Sequence, residues 1–239
     1  MIPWLPSDSA WFPDPRTALA EPNGLLAAGG DLAPPRLLAA YRQGIFPWYS
    51  RADPILWWSP DPRLVLFPAE LNISRSLAKT LRNKAYSVRL DTAFAAVIRA
   101  CARTPRNGSP GTWITPEMQA AYDEMHRLGY AHSVEVWIDG QLAGGLYGMA
   151  LGRVFYGESM FSLKPDASKI ALAHLCVYLE RLGFGIIDCQ METAHLLSLG
   201  ARPISRDAFL AALDRFATTE GMSGPWPATA VDGCFRSRK

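Results

Sequence analysis

Residues 186–190 read Ile-Ile-Asp-Cys-Gln, and the spacing of Asp188 and Gln190 is where chemistry is first legible in this chain. Positions i and i+2 of a strand project from one side. A carboxylate and an amide therefore share one face of a segment that otherwise reads as a buried strand. Such a pair is either a satisfied buried couple or part of an acyl-transfer site. In the second reading Gln190 offers a carbonyl oxygen that orients an attacking amine. Asp188 then fixes that amide and stabilises positive charge developing on the amine. Upstream, residues 156–162 read Tyr-Gly-Glu-Ser-Met-Phe-Ser. Glu158 lies near a strand end, either as an anionic subsite for a cationic group or as the buried partner of an arginine. Ser162 and the helix start Ala167-Ser168-Lys169 supply hydroxyls and amide N–H groups that suit an anion or a carbonyl oxygen; simple capping is the alternative.

The run Gly157-Glu158-Ser159-Met160-Phe161 falls one glycine short of the G-x-S-x-G elbow of serine hydrolases. That elbow needs a strand, a sharp turn and a helix in immediate succession. Here Ser159 lies near the end of a strand, and the helix begins several residues later. The acids available to His195, namely Asp188 and Glu192, also stand too near it in sequence for the usual triad layout. Ser159 reads as an ordinary strand-end serine. His126, His132, His174 and His195 lack metal-ligand spacing, and Cys101, Cys176, Cys189 and Cys234 form no C-x-x-C pair. No metal is expected, and the thiols read as reduced and mostly buried in a cytosolic protein. Trp48, Trp113 and Phe155 are candidates for stacking on a base or lining an apolar pocket.

The elements that must position these groups follow from local patterns. Thr115, Pro116 and Gly129 mark the start and end of a helix over 116–128. Alternation in Val134, Val136 and Ile138, the Asp139-Gly140 turn and two further apolar runs predict three antiparallel strands. A helix over 167–182 ended by Gly183, the strand carrying Asp188, and a shorter helix over 207–216 complete a mixed α/β layer. The first sixty residues are dense in Pro and Trp, which excludes long helices and central strands apart from a short helix after Asp31. The expected organisation is a small α+β N-terminal domain over 1–62 and a catalytic domain with a mixed sheet over 63–239.

With 239 residues, 49% hydrophobic and 19% charged, the chain can bury a sizeable core. Its least polar stretches are too short to span a bilayer, and the amino terminus does not read as a secretory signal. A cytoplasmic protein without membrane attachment is expected. The net charge of +2 conceals an asymmetry: residues 72–106 hold eight basic side chains and one acid, leaving sixteen basic and twenty-one acidic residues elsewhere. A cationic patch on a mildly acidic protein suits a polyanion, or is a solvated helix face. Over 72–84 the helical period gathers Arg75, Lys79 and Arg82 within about 60° of one another, opposite Ile73, Leu77 and Leu81.

The chain closely resembles the bacterial leucyl/phenylalanyl-tRNA–protein transferases. The resemblance rests on EPNGLLAAGGDL, GIFPWYS, PILWWSPDPR, GTWIT, HSVEVW, YGESMFS, ASK, IDCQ and SLGA, which stand in the family's order over nearly the whole chain. It implies transfer of Leu or Phe, less readily Met, from aminoacyl-tRNA to the N-terminal Arg or Lys of a protein, creating a destabilising N-terminus for N-degron degradation. It also implies an acetyltransferase-like (GNAT) C-terminal domain, no cofactor or required metal, and a monomer. By the resemblance Asp188, Gln190 and Glu158 are catalytic. Trp48, Trp113, Phe155, Ser162 and Leu175 line the aminoacyl-adenosine pocket, with Leu175 standing where Phe is expected. Arg75, Lys79, Arg82 and Lys84 grip the tRNA acceptor stem. Two rivals remain: a coenzyme-A acetyltransferase, against which the segment SLKPDASK lacks the glycines that hold a pyrophosphate, and a non-catalytic tRNA-binding module.

Overall fold

The computed structural model describes residues 2–105, 113–218, 224–229, 231, 234 and 235. Arg106, and Gly111 and Thr112 of the GTWIT stretch, lie outside them. The N-terminal part holds β1 (Trp4–Leu5), β2 (Leu25–Gly29), α1 (Pro34–Arg42), β3 (Phe46–Pro47) and β4 (Leu56–Trp58), with the strands ordered β1-β2-β4-β3, so that β2 and β4, which contain no proline, are central strands against the expectation from proline density. After β5 (Arg63–Leu66) come α2 (Arg75–Asn83), β6 (Ser87–Leu90), α3 (Phe94–Arg103) and α4 (Pro116–Arg127). The meander follows as β7 (Ala131–Ile138), β8 (Gln141–Leu151) and β9 (Val154–Ser162), then α5 (Ala167–Arg181) and β10 (Ile186–Gln190). The chain continues through α6 (Ala194–Ser198), β11 (Arg202–Ile204) and α7 (Arg206–Phe216). The second sheet runs β11-β5-β10-β9-β8-β7-β6, antiparallel at every neighbour except β9 and β10. α5 is the crossover between that parallel pair, which a hairpin could not join.

Local signals carry most of these elements. The Thr115 hydroxyl accepts the Met118 N–H at 3.2 Å, Pro116 opens α4, and Gly129 leaves it at φ +79°. Asp139 and Gly140 both take positive φ, the type I′ geometry that matches strand twist. Helix α6 is capped by Thr193, whose hydroxyl accepts the Leu196 N–H at 3.2 Å, whereas the short strands β5, β6 and β11 and helix α3 carry no comparable signal. β6, for example, alternates exposed Ser87 and Arg89 with buried Val88 and Leu90 over only four residues.

Alternate residues of the large sheet feed two cores. Tyr147, Tyr156 and Ile186 face a cluster with α1, α3, α4, α7 and Trp57, whereas Leu146, Phe155 and Ile187 face one with α2 and α5. The strands of the two sheets divide between Trp58 and Arg63, yet Leu26, Tyr41 and Trp57 belong to the same apolar cluster as Val65 and Phe209. No helix among the described residues is long and apolar enough to cross a membrane.

The second core is closed by the chain's last part. Trp226 stacks on His132 (centroids 4.0 Å apart, planes at 3°) and meets the Phe155 and Tyr178 rings. Its backbone N–H donates to Asp91 Oδ2 at 2.7 Å, and Leu90 N–H donates to the Ala228 carbonyl at 3.1 Å. This segment therefore lies along the outer edge of β6, where unpaired strand groups would otherwise face solvent. Trp226→Ala should destabilise the fold by about 3 kcal/mol through the cavity left among three rings. Urea unfolding checks this, and a midpoint shift equivalent to less than about 1 kcal/mol would remove Trp226 from the core account.

Candidate active site

The parallel strands β9 and β10 pair through Val154 with Ile186, Phe155 with Ile187 and Tyr156 with Asp188, and no further. Both strands continue, to Ser162 and Gln190. At that level each also slips against its antiparallel neighbour. Gly157 and Ser159 oppose Gly148 and Tyr147, leaving Glu158 extra, while Asp188 and Gln190 oppose Val65 and Leu64, leaving Cys189 extra. A bulge bends its strand and re-aims the side chains beside it. Two bulges at one level part the strands and turn Glu158 and Gln190 toward each other. Gln190 adopts φ +63°, a conformation an L side chain rarely takes without support.

The support is Asp188, whose Oδ1 accepts the Gln190 backbone N–H at 2.9 Å. Its carboxylate is held by Arg63 in a bidentate pair of 2.8 and 2.7 Å, with both side chains at most 1% exposed. The guanidinium lies between the Phe46 and Phe209 rings, 4.7 Å from each centroid. Two details depart from the sequence expectations. Asp188 holds the backbone of Gln190 rather than its side-chain amide, and the buried arginine belongs to Asp188 rather than to Glu158.

The Gln190 amide is fixed by Glu158 instead: Nε2 donates to Glu158 Oε1 at 3.1 Å. Glu158 is buried and also meets Tyr41 Oη at 2.6 Å and Tyr122 Oη at 3.1 Å, while the two phenols touch each other. That triangle has three oxygen–oxygen contacts, but the phenols bring only two protons. Glu158 supplies the third in its protonated form. The carboxyl titrates accordingly at about 7, pushed up foremost by burial and by Asp188, against the pull of the tyrosine hydrogen bonds and Arg63. Burial, then the charge of Glu158, holds both phenols well above their ordinary range.

The other expected site residues are dispersed around this centre. Ser162 is exposed; its hydroxyl accepts the Ser168 N–H at 2.8 Å and so caps α5, whose N-cap residue Asp166 makes no cap bond of its own. Trp48 is partly exposed and edge-on to Trp58, with ring centroids 5.5 Å apart. Trp113 is half-buried against the first core, whereas Phe155 and Leu175 are fully buried in the second. Arg75, Lys79 and Arg82 are exposed along α2 above buried Leu77 and Leu81, but Lys84 is half-buried with Nζ donating to the Pro165 carbonyl at 3.1 Å. Ser159 lies within β9 opposite Tyr147, outside any strand–turn–helix elbow. Among the described residues no group of three or more His, Cys, Asp or Glu gathers as a metal site would.

Sequence reasoning missed Arg63, Tyr41 and Tyr122 as parts of the centre. The available signal for Arg63 was a cation heading the apolar run Arg-Leu-Val-Leu, since an arginine inside a buried strand requires a partner. The tyrosines sit on the apolar stripes of α1 and α4, where nothing separates them from ordinary core aromatics.

A buried carboxyl of raised pKa and an amide turned toward it thus lie together where the mixed sheet opens between its two parallel strands. The model of the leucyl/phenylalanyl-tRNA protein transferase family matches residues 65–214, and that of the family's N-terminal domain matches residues 30–61. The leucyl/phenylalanyl-tRNA–protein transferase of Azoarcus sp. (strain BH72) is 64% identical over 231 residues, covering 97% of each chain. That of Chromobacterium violaceum is 63% identical over 236 residues, 99% of this chain and 98% of its own. Among solved structures, a GCN5-related N-acetyltransferase from Kribbella flavida aligns over 78% of this chain and 67% of its own, at 13% identity and a TM-score of 0.38. The chain belongs to the leucyl/phenylalanyl-tRNA–protein transferase family and is an aminoacyltransferase.

Two measurements probe this centre. Arg63→Met leaves Asp188 charged, buried and unpaired, so it should cost about 3–5 kcal/mol in denaturant unfolding. A loss below about 1 kcal/mol would mean that the pair does not hold the centre together. For Glu158, a carboxyl titrating at about 7 keeps in the folded state a proton that the unfolded chain releases from about pH 4.5 upward. Stability therefore falls as pH rises through that window. Glu158→Gln should flatten the fall, so that its Tm gains on the parent's between about pH 5 and 8. Parallel Tm curves across that range would show that Glu158 titrates normally.

Proposed function

We propose that the chain transfers leucine or phenylalanine, and methionine less readily, from aminoacyl-tRNA to the N-terminal arginine or lysine of acceptor proteins, marking them for N-degron degradation. It does so as a cytoplasmic monomer without a cofactor, with a small N-terminal domain over 1–62 and an acetyltransferase-like catalytic domain over 63–239. The observation that carries this reading is the hydrogen bond from Gln190 Nε2 to Glu158 Oε1 at the parting of β9 and β10. With its nitrogen committed to Glu158, the Gln190 amide has its carbonyl oxygen free to accept from an incoming amine.

The donor ester is already activated, so the reaction needs positioning more than energy input. The acceptor's amine nitrogen attacks the ester carbonyl carbon. The new C–N bond forms, the C–O bond to the terminal ribose breaks, and the departing ribose oxygen takes up a proton in place of the one the nitrogen loses. An α-amine titrates near 8, so much of it must first lose a proton. Gln190 Oε1 holds the N–H of the neutral amine in line with the carbonyl. Both oxygens of Asp188 are occupied by Arg63, so the preference for a cationic acceptor residue falls to Glu158 in its ionised form, which a carboxyl titrating at about 7 reaches near neutrality. The resemblance gives the donor to Trp48, Trp113, Phe155, Ser162 and Leu175, of which Phe155 and Leu175 are fully buried in the second core and Trp113 lies against the first. An apolar pocket of that kind separates side chains differing by a methylene by only about 1–3 kcal/mol, which fits tolerance of several residues. Arg75, Lys79 and Arg82 meet the phosphates of the acceptor stem.

The test mixes the protein, leucyl-tRNA carrying labelled leucine, and a peptide beginning with arginine. Label should appear in the peptide; tRNA binding without transfer would leave only a binding module, and transfer from acetyl-coenzyme A alone would mean an acetyltransferase. Gln190→Ala and Asp188→Asn, the latter keeping an acceptor for Arg63, should each slow transfer about a hundredfold with tRNA binding intact. An unchanged rate removes the residue from the mechanism.

A further inference from the structure

One face of α2 is tied to the loop that ends β9. Thr80 Oγ1 donates to Asp166 Oδ2 at 3.3 Å, and Lys84 Nζ donates to the Pro165 carbonyl at 3.1 Å. These two residues stand four apart and so share a side of the helix. Advancing 100° per residue, they lie about 140–180° from Arg75, the far side from the cation stripe that also holds Lys79 and Arg82. The loop they hold is short and otherwise braced. Leu163 and Lys164 N–H both donate to the Ala143 carbonyl, Lys169 Nζ donates to Asp166 Oδ1, and Asp166 itself takes φ +65°. Immediately before the loop stands Ser162, capping α5, and four residues before Ser162 on the same strand stands Glu158.

We infer that Thr80 and Lys84 are positioning residues, which lock the helix carrying the tRNA-facing cations to the lip of the acyl-transfer cleft and so set where a bound tRNA delivers its 3′ end. This rests on the reading of α2 as the tRNA grip. A polyanion held by Arg75, Lys79 and Arg82 fixes only the helix. What fixes the ester against Gln190 is the rigidity of the link from helix to cleft. Lys84 is in this account no phosphate ligand, since its ammonium is engaged on the Pro165 carbonyl. The expectation that it grips the acceptor stem gives way to a role inside the protein.

The experiment compares two leucyl donors, full-length leucyl-tRNA and 3′-O-leucyl-adenosine, which carries the reacting ester but no phosphates for α2. Thr80→Val and Lys84→Met should each lower kcat with leucyl-tRNA about tenfold, the scale of a modest misplacement. KM and the salt dependence of tRNA binding should stay as in the parent, and transfer from leucyl-adenosine should be unchanged. Thr80→Ser, which keeps the hydroxyl, should restore the rate. Any of three results overturns the inference: a salt slope shallower by about one unit in Lys84→Met, which would make Lys84 a phosphate contact; equal losses with both donors, which would place the effect in the cleft itself; or no loss with either. The Arg75→Gln, Lys79→Gln, Arg82→Gln triple variant serves as the separate arm. If its tRNA affinity at low salt equals the parent's, it is the grip by α2 that fails, whatever Thr80 and Lys84 show.

Discussion

The buried pair of Arg63 and Asp188 is the constraint on which the centre of this molecule depends. Withdrawing two charges from water costs several kcal/mol per ion, which mutual attraction offsets only when geometry and hydrogen bonding are good. Here both carboxylate oxygens are met by guanidinium N–H groups, one also accepts a backbone N–H, and the cation lies between two phenylalanine faces. Those rings come from β3 and α7, so a single guanidinium links the N-terminal part, two neighbouring strands and the last helix.

The consequences pass outward in order. Asp188, fixed by Arg63, holds the backbone of Gln190 in its left-handed conformation, and that conformation directs the amide to Glu158. Glu158 in turn is pushed up by burial against the downward pull of two phenol hydrogen bonds, which leaves it titrating at about 7. Asp188 raises it and Arg63 lowers it, so the ion pair also tempers the charge that the site carries near neutrality. Charge, conformation and the opening between strands are thus one arrangement in which no member is set independently.

The two faces of the sheet divide the remaining work. One carries the polar centre beneath α1 and α4, through Tyr41 and Tyr122. The other packs Phe155 and Leu175 beneath α5 and the Trp226 segment. β9 feeds both by alternation, Tyr156 toward one and Phe155 toward the other, and beyond the extra residue at Glu158 the order reverses, so that Phe161 joins the face of Tyr156. α2, with its exposed cations, stands beside the end of that strand through the loop at Pro165 and Asp166.

What the sequence by itself determined are the features whose causes lie within a few residues. Thr115, Pro116 and Gly129 delimit α4 because capping acts over one turn, and Asp139-Gly140 makes the hairpin because two positive-φ residues suffice. The cationic stripe of α2 is legible from a period of 3.6, and the polar residues of β10 from their place in an apolar run, although the extra residue at Cys189 breaks the period of two between them. Only the tertiary structure decided the partners. Arg63 meets Asp188 across 125 positions and Tyr41 meets Glu158 across 117, separations at which no local propensity operates. The same holds for Lys84, which composition counts among the cations but folding engages on the Pro165 carbonyl, 81 positions away. A residue's type states which bonds it can make; the packing of distant strands and helices decides which of them it makes.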